Sequence, residues 1–215
     1  MSYRTIIIIV VVALFAGFGW WFVSRQHSPQ SDIITDSQSV LESVNQPITV
    51  DDSIQKGDSM SSPSALVAYF SATGTTAAAA QAIADAIAAP TWEIVPATAY
   101  TTADLDWHDK QSRSSLEMDD PNARPPLAST TDLSAYDTVI IGSPIWWGVN
   151  PRLINTFIDS HDLTGKQIYL FVTSGSSGVE EAVAALQTTY PHLKIVDGLR
   201  YTNQTAEQIR QWLGW

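Results

Sequence analysis

The sequence predicts an α/β domain with a parallel sheet covered by helices on both faces, preceded by an apolar segment and a polar linker. From residue 64 onward, short apolar runs alternate with helical patterns, as strand–helix–strand units require. Runs such as "DTVIIGS" at 137–143 lack polar alternation, the mark of a strand buried on both faces. Turns rich in small and hydroxyl residues or aromatics follow three of these runs, at 71–76, 144–150 and 174–178. In a parallel sheet the carboxyl ends of the strands are where ligands bind.

The elements follow in order. "SALVAYF" (64–70) is a short apolar run bounded by polar residues and reads as the first strand. "TAAAAQAIADAIAA" (76–89) is a strong helix former, and Pro90 stops it. Further strands are expected at 91–95, 137–143, 167–173 and 193–197. Helices are expected at 151–159, 179–189 and 205–213, the last opening with Thr205 and Gln208 at capping-box spacing. The stretch 98–130 is long for a connection in a compact domain and contains Tyr100, Asp106, Trp107, Arg113, Glu117 and Arg124. Such connections are usually functional or mobile, and this one is expected to cover a ligand or partner surface, or to be a surface excursion pinned by Trp107.

The chain has 215 residues, 45% of them hydrophobic, enough for one domain with a sizeable core. Its net charge is −11 and it holds only eleven Lys and Arg, which argues against a nucleic-acid surface. Cys is absent, so disulfides, thiolate nucleophiles and thiolate metal sites are excluded together, and any redox role needs a cofactor.

Residues 1–23 are expected to form an N-terminal signal anchor. The uncharged run "IIIIVVVALFAGFGWWFV" at 6–23 would span roughly 27 Å as a helix, close to a bilayer core of about 30 Å. Trp20 and Trp21 lie at its end as interfacial aromatics do, and no Ala-x-Ala cleavage site follows it. Arg4 on the short tail favours the N-terminus inside and the bulk of the protein on the extracytoplasmic side of a cell membrane. Residues 24–63, rich in Ser, Gln and Asp, read as a flexible linker with an end-to-end distance on the order of 35 Å. The globular domain is then 64–215.

Three loops could carry chemistry. In "SATGTT" the hydroxyls of Ser71, Thr73, Thr75 and Thr76 and the amides around Gly74 converge at a helix N-terminus, which favours an anion. No Lys follows the glycine, as a nucleoside-triphosphate loop would need, and the three-glycine dinucleotide pattern is missing. A phosphate monoester held by neutral donors fits what remains; an ordinary N-cap turn is the other reading. In "SPIWWGVNP" two adjacent tryptophans cannot both point into the same core, so one or both should face a surface or a cleft where a flat ligand can stack. Pro144 and Gly148 would let the backbone approach such a ligand. "TSGSSG" at 173–178 is a donor-rich turn without bulk, equally readable as a plain turn.

Other residue groupings are set aside. Ser160, His161 and Asp162 have the residue types of a hydrolytic triad, but chain neighbours diverge and cannot build its geometry. The pairs Asp51/Asp52 and Asp119/Asp120 read as solvated charges, and His27, His108 and His192 have no ligand spacing.

Taken together the three loops resemble those of the flavodoxin family, over about residues 64–215. "S-A-T-G-T-T" matches that family's phosphate loop, and Gly142–Gly148 and Thr173–Gly178 match the group carrying "G-x-P-I-W-W-G" and "T-S-G-x-S-G". The resemblance implies a flavodoxin-like three-layer fold, with a five-stranded parallel sheet of order 2-1-3-4-5, and FMN as the cofactor. It also implies that Ser71, Thr73, Gly74, Thr75 and Thr76 hold the phosphate. Pro144, Ile145, Trp146, Trp147 and Gly148 would frame the ring, and Ser174, Gly175, Ser176, Ser177 and Gly178 would reach its other edge. Thr75 stands where the family often has Asn, and the third loop has no counterpart of the ring-stacking Tyr of many short flavodoxins.

The function expected is electron transfer by a membrane-tethered FMN protein, with a redox partner protein or small electron donor or acceptor. An acidic domain disfavours further negative charge on a bound flavin and suits a basic partner surface. An FMN-dependent NAD(P)H or quinone reductase, and a cofactor-free interaction module, are the other readings.

Overall fold

The computed structural model describes residues 64–215. The apolar run at 6–23 and the linker at 24–63, with the anchor and tether expected there, lie outside the described residues. Among the described residues no helix is long and apolar enough to cross a membrane.

Five strands form one wholly parallel sheet: β1 Ala65–Tyr69, β2 Thr91–Glu93, β3 Thr138–Pro144, β4 Gln167–Thr173 and β5 Lys194–Arg200. Their order is β2-β1-β3-β4-β5, the order expected. The helices are α1 Thr75–Ile87, α2 Arg113–Asp119, α3 Arg152–Asp159, α4 Glu180–Thr189 and α5 Ala206–Leu213.

The two-residue period of the strands divides the core. Val67, Ile140 and Phe171 face one side, where they pack on Ala80 and Ile83 of α1 and Ile209 and Leu213 of α5. Leu66, Ala68, Ile141 and Leu170 face the other and meet Leu153 and Phe157 of α3 and Leu186 of α4. Small alanines on α1 bring that helix close to the sheet. Its end is set by Ala88, at φ 53°, whose amide returns to the Ala84 carbonyl just before Pro90. At α5 the predicted capping box forms in full between Thr205 and Gln208.

Three boundaries differ from expectation. β2 ends at Glu93, and the chain then bridges Pro96 to Leu127, with Ala97 donating to the Pro126 carbonyl and Ala128 to that of Val95. The excursion between them is thereby closed at its base. It also holds a helix that the sequence did not announce: α2 has only seven residues and too few apolar positions for a period. Finally, β5 runs on to Arg200, three residues past the expected end at 197, because an edge strand paired only to β4 can carry polar residues outward.

The chain leaves β1 outward to β2 and returns to β3 on β1's other side. That reversal opens a crevice beyond the carboxyl ends of β1 and β3, where two of the predicted loops begin, with the third beside them at the end of β4.

Candidate functional site

The crevice is a cleft of about 930 Å³ lined by all three loops. Thr173, the last residue of β4, joins them. Its Oγ1 lies 2.8 Å from that of Thr76, and its carbonyl accepts from the Ile145 amide at 3.1 Å. Thr76 is 2% exposed, so this hydroxyl pair is a structural tie between the first loop and the end of β4.

In the first loop Ser71 Oγ accepts from the Gly74 amide at 3.1 Å, and Gly74 adopts φ 91°, a conformation that disfavours any other residue. This turn aims α1 at the cleft. The first intrahelical bond runs from Ala78 to Gly74, and among the described residues nothing accepts from the amides of Thr75, Thr76 or Ala77. Thr73, Thr75 and Thr76 line the cleft; Ser71 and Gly74 do not, and shape the turn instead. The chemistry is that of an anion site made of neutral donors and a helix dipole.

In the second loop Trp146 and Trp147 have different environments. Trp146 packs edge-on against Phe70 and Tyr100, with ring centroids 5.7 and 5.3 Å away, and exchanges backbone bonds with Val149. Trp147 is 51% exposed at φ 47°, a left-handed conformation rare for a bulky residue. Gly148 follows at φ 87°. Pro144, Ile145 and both tryptophans line the cleft, while Gly148 lies behind it near Glu181.

From the third loop Ser174 and Gly175 reach the cleft. Ser176, Ser177 and Gly178 do not line it; the Ser174 hydroxyl donates to the Ser177 carbonyl and closes the turn on itself.

The excursion supplies another wall through Leu105, Trp107 and Ser114. It is fastened by Tyr100, whose hydroxyl donates to Glu117 at 2.5 Å while Arg113 lies 4.0 Å over its ring and bonds Glu117 at 2.7 Å. Burial first, and then the Glu117 bond, push the Tyr100 hydroxyl pKa far up, so it stays a proton donor. Trp107, 66% exposed, is therefore a wall residue and not a pin.

Tyr201, Thr202 and Asn203 complete the lining and were missed in the sequence. The signal is present, since they follow a strand, but the apolar pattern predicts that strand only as far as 197. His161 is held by backbone groups, its ring nitrogens meeting the Phe157 carbonyl one turn back and the Thr131 amide across the fold, and no triad forms among the described residues. Among the described residues no group of His, Cys, Asp and Glu could hold a metal ion.

These features define a doubly wound α/β protein with its cleft at the switch point, able to hold an anion at one end and a flat group beside tryptophans at the other. The chain belongs to the flavodoxin family, whose family model matches residues 64–214. Two solved structures of candidate flavoproteins are similar to it. One, from Bacteroides uniformis ATCC 8492, is 51% identical, with a TM-score of 0.68 over 71% of this chain and 99% of that one. The other, from Bacteroides eggerthii DSM 20697, is 47% identical, with a TM-score of 0.70 over 71% and 96%. A flavoprotein in complex with FMN from Lactobacillus acidophilus NCFM, 21% identical, shares the fold with a TM-score of 0.56 over 70% of this chain and 99% of that one. No curated protein matches the sequence.

Proposed function

We propose that the domain binds FMN and acts as a flavodoxin-like electron carrier. The observation that carries this reading is the single cleft in which Thr173 ties the hydroxyl turn to the tryptophan loop. The FMN complex of the Lactobacillus flavoprotein supports it.

The residues fit the cofactor. Amides of Thr75, Thr76 and Ala77 with the hydroxyls of Thr73 and Thr75 offer neutral donors to a phosphate, and the wide, partly aromatic remainder of the cleft suits a planar ring. Bound FMN would supply the capacity to take up and release electrons, which no cysteine in this chain provides. The chain's own part would be to hold the phosphate and to present Trp147 for stacking on the ring, with Trp146, backed by Phe70 and Tyr100, as a further wall of the cleft.

The membrane tether belongs to the same proposal. The run at 6–23 would anchor the chain by a single pass, 24–63 would let the domain range near the bilayer, and the domain would work on the extracytoplasmic side. A net charge of −11 suits a redox partner with a basic docking face. The Leu105, Trp107 and Ser114 wall favours a second reading, an FMN-dependent NAD(P)H or quinone reductase, because it leaves room for a substrate beside the ring. Steady-state NAD(P)H oxidation separates the two.

Titration of FMN fluorescence with the protein tests the reading. Quenching at sub-micromolar protein is expected, with Thr73→Ala weakening it about tenfold, the order of one charge-assisted hydrogen bond. Absence of quenching by the wild type would refute FMN binding and bring forward a cofactor-free interaction module.

A further inference from the structure

Arg200 is the last residue of β5, paired in register with Val172 near the end of β4. One of its terminal nitrogens donates to two consecutive carbonyls of the third loop, Ser174 at 3.3 Å and Gly175 at 2.7 Å. Resting on the FMN reading, we infer that Arg200 is a positioning residue that sets the cleft wall at 174–175 and raises the reduction potential of the bound flavin.

The first half of the inference is steric. In a planar trans peptide the C=O and N–H point in opposite directions. Pulling the Ser174 and Gly175 carbonyls toward Arg200 therefore turns the amides of Gly175 and Ser176 away from the guanidinium. Among the described residues nothing accepts a hydrogen bond from either amide. Ser174 and Gly175 line the cleft, and Arg200 does not, so the cation stands behind that wall.

The second half is electrostatic. The ion pairs among the described residues are Arg113–Glu117, Arg124–Asp159 and Arg210–Glu207. Arg200 belongs to none of them, and its buried Nε has no partner. Its hydrogen bonds thus go only to carbonyl dipoles, as does that of Arg152, which donates to the Met118 carbonyl, while Arg113, next to the cleft-lining Ser114, is paired with Glu117. Two-electron reduction of a flavin with uptake of one proton, the electrons coming from an external donor and the proton from water, leaves one negative charge on the ring. A fixed cation one peptide layer away stabilises that state against the acidic background of the chain.

The test is potentiometric titration of the FMN-loaded full chain with dithionite, alongside FMN affinity. Arg200→Gln should weaken binding of reduced FMN about tenfold more than that of oxidised FMN, a fall of about 30 mV in the two-electron midpoint potential. Arg200→Lys should keep the potential, since it keeps the charge, while loosening oxidised FMN because an ammonium does not reproduce the guanidinium's hold on both carbonyls. An Arg200→Gln protein that binds FMN at an unchanged potential overturns the inference and leaves the FMN reading standing. Should Arg200→Gln not fold, Arg200→Lys decides: a wild-type potential with looser binding supports it, and a tenfold-equivalent fall despite the retained charge overturns it. Absence of FMN binding by the wild type defeats the reading and the inference together.

Discussion

Thr76 Oγ1 and Thr173 Oγ1 lie 2.8 Å apart across 97 residues of chain, and this one bond makes two sequence turns into one site. One hydroxyl donates and the other accepts, so replacing Thr173 strands the buried Thr76 hydroxyl, and replacing Thr76 leaves half-buried Thr173 without its partner. Thr76→Val should destabilise the protein by about 1–2 kcal/mol. The double change Thr76→Val/Thr173→Val should cost less than the sum of the singles, because it strands nothing. Denaturant midpoints of the four proteins check this, and strict additivity would show that the two hydroxyls do not interact.

Trp147 holds a left-handed backbone conformation, φ 47°, with half its surface exposed. Strain of this kind is retained where a side chain must be presented. Trp147→Gly and Trp147→Ala both remove the ring, but only glycine removes the strain. The glycine variant should be more stable than the alanine variant by about 1 kcal/mol, and both should lose FMN affinity alike. Paired thermal melts and FMN titrations read both effects, and an alanine variant as stable as the glycine one would deny the strain.

Two glycines, Gly142 within β3 and Gly175 in the third loop, separate packing from ligand approach. A Cβ on Gly142 would lie 1.9 Å from Phe171 Cζ in the centre of the sheet, whereas a Cβ on Gly175 would meet nothing within 4 Å. Gly142→Ala should therefore cost about 2 kcal/mol or more. Gly175→Ala should leave stability within about 0.5 kcal/mol of wild type, and any effect should fall on FMN affinity. Urea unfolding of the two variants gives the comparison; equal losses would contradict it.

The fold was legible because its signals are local. Uninterrupted runs marked β1, β3 and β4, an alanine-rich period marked α1, and hydroxyl and glycine turns marked the strand ends. What escaped was set by tertiary contacts. α2 is held through Arg113, Glu117 and Tyr100, none of which makes an apolar period. β5 extends as far as Arg200 by pairing with β4, which polar residues on an edge strand do not advertise, and so Tyr201 to Asn203 went unnoticed beside the cleft. Thr173 opens the TSGSSG turn, yet its part in joining the loops depends on Thr76 and Ile145, which only folding brings to it.

Asp104 makes the cleft wall beside Trp107 sensitive to acid. Its carboxylate accepts from the Thr101 amide at 2.8 Å and the Thr101 hydroxyl at 2.7 Å, and the backbone bond first, then the hydroxyl bond, lower its pKa below the ordinary 3.8. A depressed folded-state pKa favours the fold when the group is ionised. The contribution is complete above the unfolded value near 3.8 and is lost as pH falls below it through the folded value. Asp132 and Asp162, lowered in the same way by their bonds to Ser134 and Thr164, give the rest of the protein a parallel loss. The turn at 101–104 leads directly to Leu105 and Trp107, so their side of the cleft should loosen first where Asp104 titrates. Acrylamide quenching of Trp107, taken as the difference between wild type and Trp107→Phe, should rise as pH drops below about 4. In Asp104→Asn that step should disappear while the acid loss due to Asp132 and Asp162 remains; an unchanged step would assign it to another carboxylate.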